Sequence, residues 1–193
     1  MSPLQKIAMG LVLVFVPADF EIAHHVYDAL PDPIGWLMVI SGLQTLRTRA
    51  ESEIDVDIAY WLAWVALVVS VPLCVPQLTE LLPHPSGSST GVDPSVQWFL
   101  FLPQAVFSLL LVKAIGQAGI AQSPRDVFVA GRYGVLTWAF IATIVLPPIA
   151  YGGGVEKLID PTLIGIGLVN VAFIYYLFRV HRRAYLCGPP DPA

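Results

Sequence analysis

The chain has 193 residues, of which 56% are hydrophobic and 12% are charged, and its formal net charge is −4. Soluble domains carry about 25% charged residues, so this composition, with a mean hydropathy of +0.71, excludes an ordinary water-soluble domain and indicates a protein embedded in lipid. No basic run with interleaved aromatic residues occurs, which argues against a nucleic-acid partner.

Six apolar segments follow one another along the chain, and each predicts an α-helix. A helix needs about 20 residues to cross a hydrocarbon core of ~30 Å, and the segments lack the alternation of transmembrane β-strands. The predicted helices lie near 4–29, 33–48, 57–80, 94–117, 132–150 and 161–182. We therefore predict an all-α polytopic membrane protein, with one transmembrane domain over 1–193 and its helices in three hairpins.

The distribution of basic residues predicts the orientation. A cytoplasmic N-terminus places nine of the ten lysines and arginines on the cytoplasmic side and leaves only Lys157 outside. Such an excess is the positive-inside pattern of multi-pass proteins. Both termini are predicted to be cytoplasmic, with 183–193 as a short tail, and the expected location is the cell (plasma) membrane.

The first segment ends in the sequence F-E-I-A-H-H-V-Y-D-A-L-P-D-P, which holds the main candidate site. If the helix continues to Leu30, then Glu21, His24, His25 and Asp28 share a sector roughly 100° wide. Ionisable residues in membrane segments mainly face a bundle interior, a cavity or a partner. The sector therefore predicts a shared polar site at the outer end of the first helix.

Three interpretations of this sector remain open. Carboxylate and imidazole groups spaced three or four residues apart can hold a divalent metal ion such as zinc, although no second helix offers a matching pair. The same spacing is equally consistent with a simple hydrogen-bonded pair, such as Glu21 with His25. Partial burial would instead raise the pKa of a carboxyl group and make the site proton-handling. The sequence names no other cofactor.

Asp32 precedes Pro33 at the start of the second predicted helix. Aspartate suits the N-cap and proline the first helical position, and Asp93-Pro94 and Asp160-Pro161 repeat the pattern. If this short helix begins below the membrane surface, Asp32 would lie beside Asp28. Two carboxylates in a low-dielectric site push their pKa values apart, which would make one of them a general acid.

Prolines inside the predicted helices all fall in the outer half of the bundle. Each removes a helical hydrogen bond, and a broken backbone at membrane depth requires protein or a wet cavity beside it. These residues are Pro17, Pro72, Pro76, Pro103, Pro147 and Pro148. The pattern favours either an outward-facing pocket or helix ends shaped near the interface.

The run Asp28-Ala29-Leu30-Pro31-Asp32-Pro33-Ile34-Gly35-Trp36, which continues into L-M-V-I-S-G-L-Q-T-L-R, resembles a motif of small uncharacterised bacterial integral membrane proteins. In those proteins the run is D-x-L-P-D-x-[IV]-G-[WY] before an apolar helix. The resemblance covers about 20 residues and implies a membrane protein without implying an activity. It includes Asp28, Asp32 and Gly35, and it leaves out Glu21, His24 and His25.

Three functions are consistent with these patterns. The first is a membrane-embedded enzyme, in which Asp28 or Asp32 acts as the acid and His24 or His25 as the base on a lipid or isoprenoid-like substrate. The second is an interaction subunit that binds a membrane protein partner through the same cluster. The third is a small transporter or a proton or metal channel. The expected partners are membrane lipid and either a lipid-like substrate or a protein.

Overall fold

The computed structural model describes residues 1–15, 19–22, 25–28, 32–48, 56–73, 94–153 and 155–187. The helices in chain order are α1 (Pro3–Phe15), α2 (Asp32–Thr48), α3 (Asp57–Leu73), α4 (Pro94–Ala121), α5 (Val127–Gly152), α6 (Ile159–Val180) and the short α7 (Ala184–Cys187). Two strands, β1 (Asp19–Ile22) and β2 (His25–Asp28), lie between α1 and α2. The prediction of a predominantly helical protein is confirmed.

Three of these helices are long and apolar enough to cross a membrane. Their spans are Trp98–Ala121 in α4, Val127–Ala150 in α5 and Ile159–Val180 in α6. α1 and α3 are apolar over shorter lengths. Exposed large hydrophobic side chains cover the outside of α3, α5 and α6. Such a surface is unfavourable in water and suits contact with lipid. The structure therefore supports a membrane protein.

The helices close into a ring in chain order. α1 packs on α2, α2 on α3, α3 on α4, α4 on α5 and α5 on α6, and α6 returns to α1. α4 and α5 are antiparallel, since Gly116 lies against Tyr133 and Gly119 lies against Val129. If direction alternates around the ring, the N-termini of α1, α3 and α5 share one end with the C-termini of α2, α4 and α6.

α1 and α2 approach each other at three glycines. A Cβ added to Gly10 would lie 2.5 Å from the backbone oxygen of Gly35, and one added to Gly35 would lie 2.6 Å from the backbone oxygen of Gly10. Gly42 lies against Ile7 in the same way, at 2.6 Å. Small residues let helix backbones come this close in membrane proteins. The contacts also show that α1 and α2 are antiparallel.

A layer of aromatic rings crosses the middle of the bundle. Trp36 of α2 meets Phe107 of α4 edge to face, with 5.3 Å between ring centroids, and Phe140 of α5 meets Phe173 of α6 likewise at 5.4 Å. All four side chains are fully buried. The contacts of Gly116 with Tyr133 and of Gly119 with Val129 align α4 with α5 so that Phe107 and Phe140 lie at similar positions along the bundle.

This layer divides the molecule into two parts. We call the part that contains α1, α2, the start of α3, 107–121, 127–140 and 173–180 the basic half, and the part that contains 94–106, 141–152 and 159–172 the distal half. Among the described residues, every lysine and arginine except Lys157 lies in or directly beyond the basic half. The basic half is therefore the end that the charge pattern assigned to the cytoplasm.

The first predicted helix, 4–29, is wrong over its second half. α1 ends at Phe15, and 19–22 and 25–28 form an antiparallel two-stranded hairpin instead. The β-branched and aromatic residues Phe20, Ile22, Val26 and Tyr27 favour strands. That composition is the signal which the helical interpretation missed.

Other predicted boundaries also shift. α4 continues to Ala121, four residues beyond the predicted end at 117. α5 begins at Val127, five residues before the predicted start at 132, because Asp126 caps it. α6 spans Ile159–Val180 where 161–182 was predicted. α2 agrees with its prediction to within one residue at its start.

Candidate functional site

The hairpin places the predicted site residues differently from a helix. Asp19 pairs with Asp28, Glu21 with Val26 and Ile22 with His25. His24 lies outside the described residues. The shared helical face of Glu21, His24, His25 and Asp28 was therefore a wrong prediction, because residues in strands do not follow a 3.6-residue period. The roles of these four residues in acid–base chemistry or metal binding do not require a shared helical face, and they stay predictions.

Asp32 is the first residue of α2 and is half-buried. It follows the hairpin closely along the chain, so the backbone keeps it near Asp28. The sequence predicted that Asp160 caps α6, and this prediction is wrong. The N-cap residue of α6 is Leu158, which makes no side-chain capping hydrogen bond, and Asp160 lies inside the helix. The third predicted cap, Asp93, lies outside the described residues.

The aromatic layer fixes the depth at which α2 begins. Trp36 lies four residues after the start of α2, and its partner Phe107 lies thirteen residues after the start of α4. At 1.5 Å per residue these offsets are about 6 and 20 Å. If direction alternates around the ring, so that α2 and α4 run in the same direction, α2 begins about 14 Å below the distal end of α4. The hairpin joins the bundle at that recessed level.

The distal half surrounds this recess with loosely packed helices. In α4 no residue between 98 and 106 is fully buried. Phe99 is 68% exposed and Phe101 is 48% exposed, although two residues correspond to about 200° around a helix. α4 is therefore exposed on two nearly opposite sides here.

The same contrast appears in the neighbouring helices. In the described distal part of α6, only Thr162 and Asn170 are fully buried, and the amide of Asn170 donates to its own helix at the carbonyl of Ile166, 2.9 Å away. α5 contains Pro147 and Pro148 in this half, and α4 contains Pro103. These prolines do lie in the half where the sequence predicted them.

The basic half holds a polar cluster that the sequence analysis missed. Asp126 accepts hydrogen bonds from the backbone N–H of Val129 at 3.1 Å and from the hydroxyl of Tyr185 at 2.9 Å. The guanidinium of Arg183 lies 3.5 Å from the same carboxylate. An aspartate before the apolar run that begins at Val127 was a readable N-cap signal. The contact with Tyr185, 59 residues away, had no local signal.

Opposing effects set the acidity of this carboxyl group. Partial burial by itself raises the pKa of Asp126, but the hydrogen bonds from Val129 and Tyr185 and the positive charge of Arg183 outweigh it, so the pKa lies below its usual value. Burial and the neighbouring carboxylate raise the pKa of Tyr185 far above its usual value, so its hydroxyl remains a donor. The cluster is a structural latch that ties α7 to the start of α5.

The residues that the structure describes contain no group of three or more His, Cys, Asp or Glu side chains able to hold a metal ion. Because His24 lies outside those residues, a divalent metal at Glu21, His24, His25 and Asp28 stays a prediction.

Comparison of the chain with protein-family models, with curated proteins and with solved structures finds no match. The resemblance of 28–36 to the bacterial membrane-protein motif thus remains an expectation from the sequence.

Proposed function

We propose that the protein is a multi-pass enzyme of the plasma membrane that binds a lipid or isoprenoid-like amphiphile in the distal half and acts on its polar group by acid–base chemistry. The observation that carries this proposal is the contact of Trp36 with Phe107. From this contact we infer that α2 begins about 14 Å below the distal end of α4. In this proposal, the titratable residues of the hairpin lie beside the start of α2, among apolar helices.

The proposed topology has six spans, with both termini in the cytoplasm. α4, α5 and α6 have full spanning length, while α1 and α2 form a short closely packed pair that ends at the recess. A cysteine introduced in the loop 86–90 should react with an impermeant thiol reagent from outside intact cells, with a variant lacking the native cysteines as background. Labelling only after lysis would contradict this topology.

The proposed chemistry uses the hairpin and the start of α2. The carboxyl group of Asp28 or Asp32 serves as the acid, and the imidazole of His24 or His25 serves as the base. Glu21 is expected to orient an imidazole. The supporting argument is electrostatic: in a low-dielectric site, neighbouring carboxylates repel, which raises the pKa of one of them and favours its role as the acid.

Two glycines of α6 provide a matched test of amphiphile binding. Gly165 is half-buried and Gly167 is exposed, and an added Cβ meets nothing within 4 Å at either position. Leucine at 165 extends toward the bundle, whereas leucine at 167 extends away from it. A diazirine-labelled isoprenyl alcohol should crosslink to the wild type and to Gly167→Leu, and Gly165→Leu should lose most of the crosslink. Equal crosslinking of both variants would contradict the binding site.

A separate measurement tests the chemistry. The purified protein is incubated with a membrane lipid extract, and mass spectrometry compares the lipid species before and after. The wild type should convert one species, while Asp32→Asn and His25→Gln should keep the crosslink and lose the conversion. If no species changes with the wild type, the acid–base function is wrong even when the amphiphile binds.

The interaction subunit is a second candidate because the hairpin is a two-stranded sheet within the described residues. Each strand of such a sheet has one edge without a strand beside it, and a partner's strand can pair there. A partner that co-purifies with the wild type and is lost after Val26→Pro, with no isoprenyl crosslink, would favour this function. The described residues offer no observation that favours the transporter or channel.

A further inference from the structure

The seam between α5 and α6 in the basic half carries an ordered arginine. The guanidinium of Arg179 lies over the ring of Phe128, 4.8 Å from its centroid. It also donates a hydrogen bond through Nη1 to the hydroxyl of Tyr175, at 2.9 Å. An aromatic face and a hydroxyl together hold the cationic group at the seam, and its remaining N–H groups are left to face outward.

Two further arginines are close to Phe128 in sequence. Arg132 lies one turn beyond Phe128 on the same face of α5, and Arg125 lies three residues before it. Arg125, Arg132 and Arg179 are all exposed. Three positive charges thus belong to the same end of the α5–α6 seam, where an anion or solvent relieves their repulsion.

The carboxylates described at this end are already engaged elsewhere. Asp126 is paired with Arg183 and bonded to Tyr185, and Asp57 is paired with Arg47 at 2.7 Å. Within the described ranges, Arg125, Arg132 and Arg179 therefore have no carboxylate partner. The positive charge around Phe128 exceeds the negative charge that the described fold supplies there.

The surroundings of these arginines are apolar. Val127 is 78% exposed and Val135 is 68% exposed, and Trp138 and Val171 continue the exposed apolar surface along α5 and α6. A soluble anion gains nothing from such a surface, whereas acyl chains do. We propose that Arg125, Arg132 and Arg179 bind the phosphate of an anionic phospholipid whose acyl chains lie along α5 and α6. The inference requires that these helices cross a membrane and is independent of the proposed enzyme activity.

Arg47 provides a matched control. Its guanidinium also lies over an aromatic ring, 4.6 Å from the centroid of Tyr60, and it belongs to the same basic half. It differs by having a carboxylate partner, Asp57. Replacing either arginine by glutamine removes one charge from the basic half, so a specific site at the seam distinguishes the two variants.

The experiment titrates the purified protein, in mixed micelles with a zwitterionic detergent, with phosphatidylglycerol, and follows bound lipid by native mass spectrometry. Arg179→Gln and Arg132→Gln should each weaken binding roughly fivefold, since an arginine near a charged lipid surface contributes about that factor. Arg47→Gln should bind like the wild type, and Arg179→Lys should recover part of the loss. Phosphatidylcholine should bind far more weakly.

Two outcomes would overturn the lipid site. Equal losses in Arg179→Gln and Arg47→Gln would show a general charge effect and no site at the seam. Binding of inorganic phosphate alone, with an affinity that the acyl chains do not improve, would show a site for a soluble anion. Thermal unfolding of each variant without lipid verifies that the fold is kept, and Arg179→Lys covers the case in which Arg179→Gln does not fold.

Discussion

The basic half and the distal half contain parts of the same three long helices, yet they are packed differently. In the basic half α4 buries Phe107, Leu111, Val112 and Ile115 completely. In the distal half the same helix has no fully buried residue between 98 and 106. α2 begins only four residues before Trp36, so its described part extends much further from the aromatic layer in the basic half than in the distal half.

This comparison separates stability from function. Van der Waals packing and close backbone approach drive helix association in a bilayer, and both are concentrated in the basic half. Among the described residues, the distal half contributes less packing. Substitutions in the basic half should therefore change the stability of the fold, and substitutions in the distal half should change ligand binding.

The largest expected effect compares two phenylalanines of α4. Phe107→Ala removes a fully buried ring from its contact with Trp36, and it should lower the free energy of unfolding by about 3 kcal/mol. Phe101→Ala removes a ring that is half exposed and should change stability by no more than about 0.5 kcal/mol. Thermal unfolding in detergent measures both. Similar losses in the two variants would contradict the division into halves.

A second prediction concerns the α1–α2 contact. Gly35→Ala puts a methyl group within 2.6 Å of the Gly10 oxygen, so the helices must separate, at an expected cost of about 2 kcal/mol. Gly134→Ala is the control, because an added Cβ there meets nothing within 4 Å. That variant should be neutral or slightly more stable. If Gly35→Ala unfolds at the wild-type temperature, the close approach of the two helices is wrong.

A third prediction concerns the latch at Asp126. Asp126→Ala removes the N-cap and the bonds to Tyr185 and Arg183, and it should cost about 1–2 kcal/mol. Asp160→Ala, at a helix start without a side-chain cap, should cost less than about 0.5 kcal/mol. Denaturation in detergent compares the two variants, and equal losses would show that the latch adds nothing.

The latch also predicts a pH dependence. The pKa of Asp126 is lower in the folded state than its usual value of 3.8, so its contribution is present above that value and is lost as the pH falls through the folded pKa. The acid-induced loss of stability below pH ~4 should be smaller in Asp126→Ala than in the wild type. Identical pH profiles would contradict the role of this carboxylate.

The smallest effect is expected from two tyrosine hydroxyls in the basic half. The hydroxyl of Tyr133 is buried and has no hydrogen-bond partner among the described residues, so Tyr133→Phe should be neutral or stabilise by up to about 1 kcal/mol. Tyr185→Phe removes a bonded hydroxyl and should destabilise by about 1 kcal/mol. A destabilised Tyr133→Phe would reveal a partner, such as water, for that hydroxyl.

The sequence by itself determined the membrane character, the predominantly helical fold and the end at which the positive charges gather. Whether a segment lies in lipid or in water determines its own apolar and charged content. These features can therefore be recognised from the sequence without knowing which residues meet in the fold. The limits of α2 followed from Pro33 and from the basic and polar residues after Leu46 for the same local reason. The proline positions in the distal half were also readable, because proline disrupts a helix wherever it occurs.

Only the tertiary structure decided the depth of the recess and the partners across the bundle. Trp36 meets Phe107, and Tyr185 meets Asp126, through packing between helices that are distant in sequence. The segment 19–28 was predicted as a helix because Glu21, His25 and Asp28 have a helical spacing, although the β-branched and aromatic residues around them favour strands. Pairing of one strand with the other decided between them, since a strand gains its hydrogen bonds from a neighbour and a helix gains them from itself.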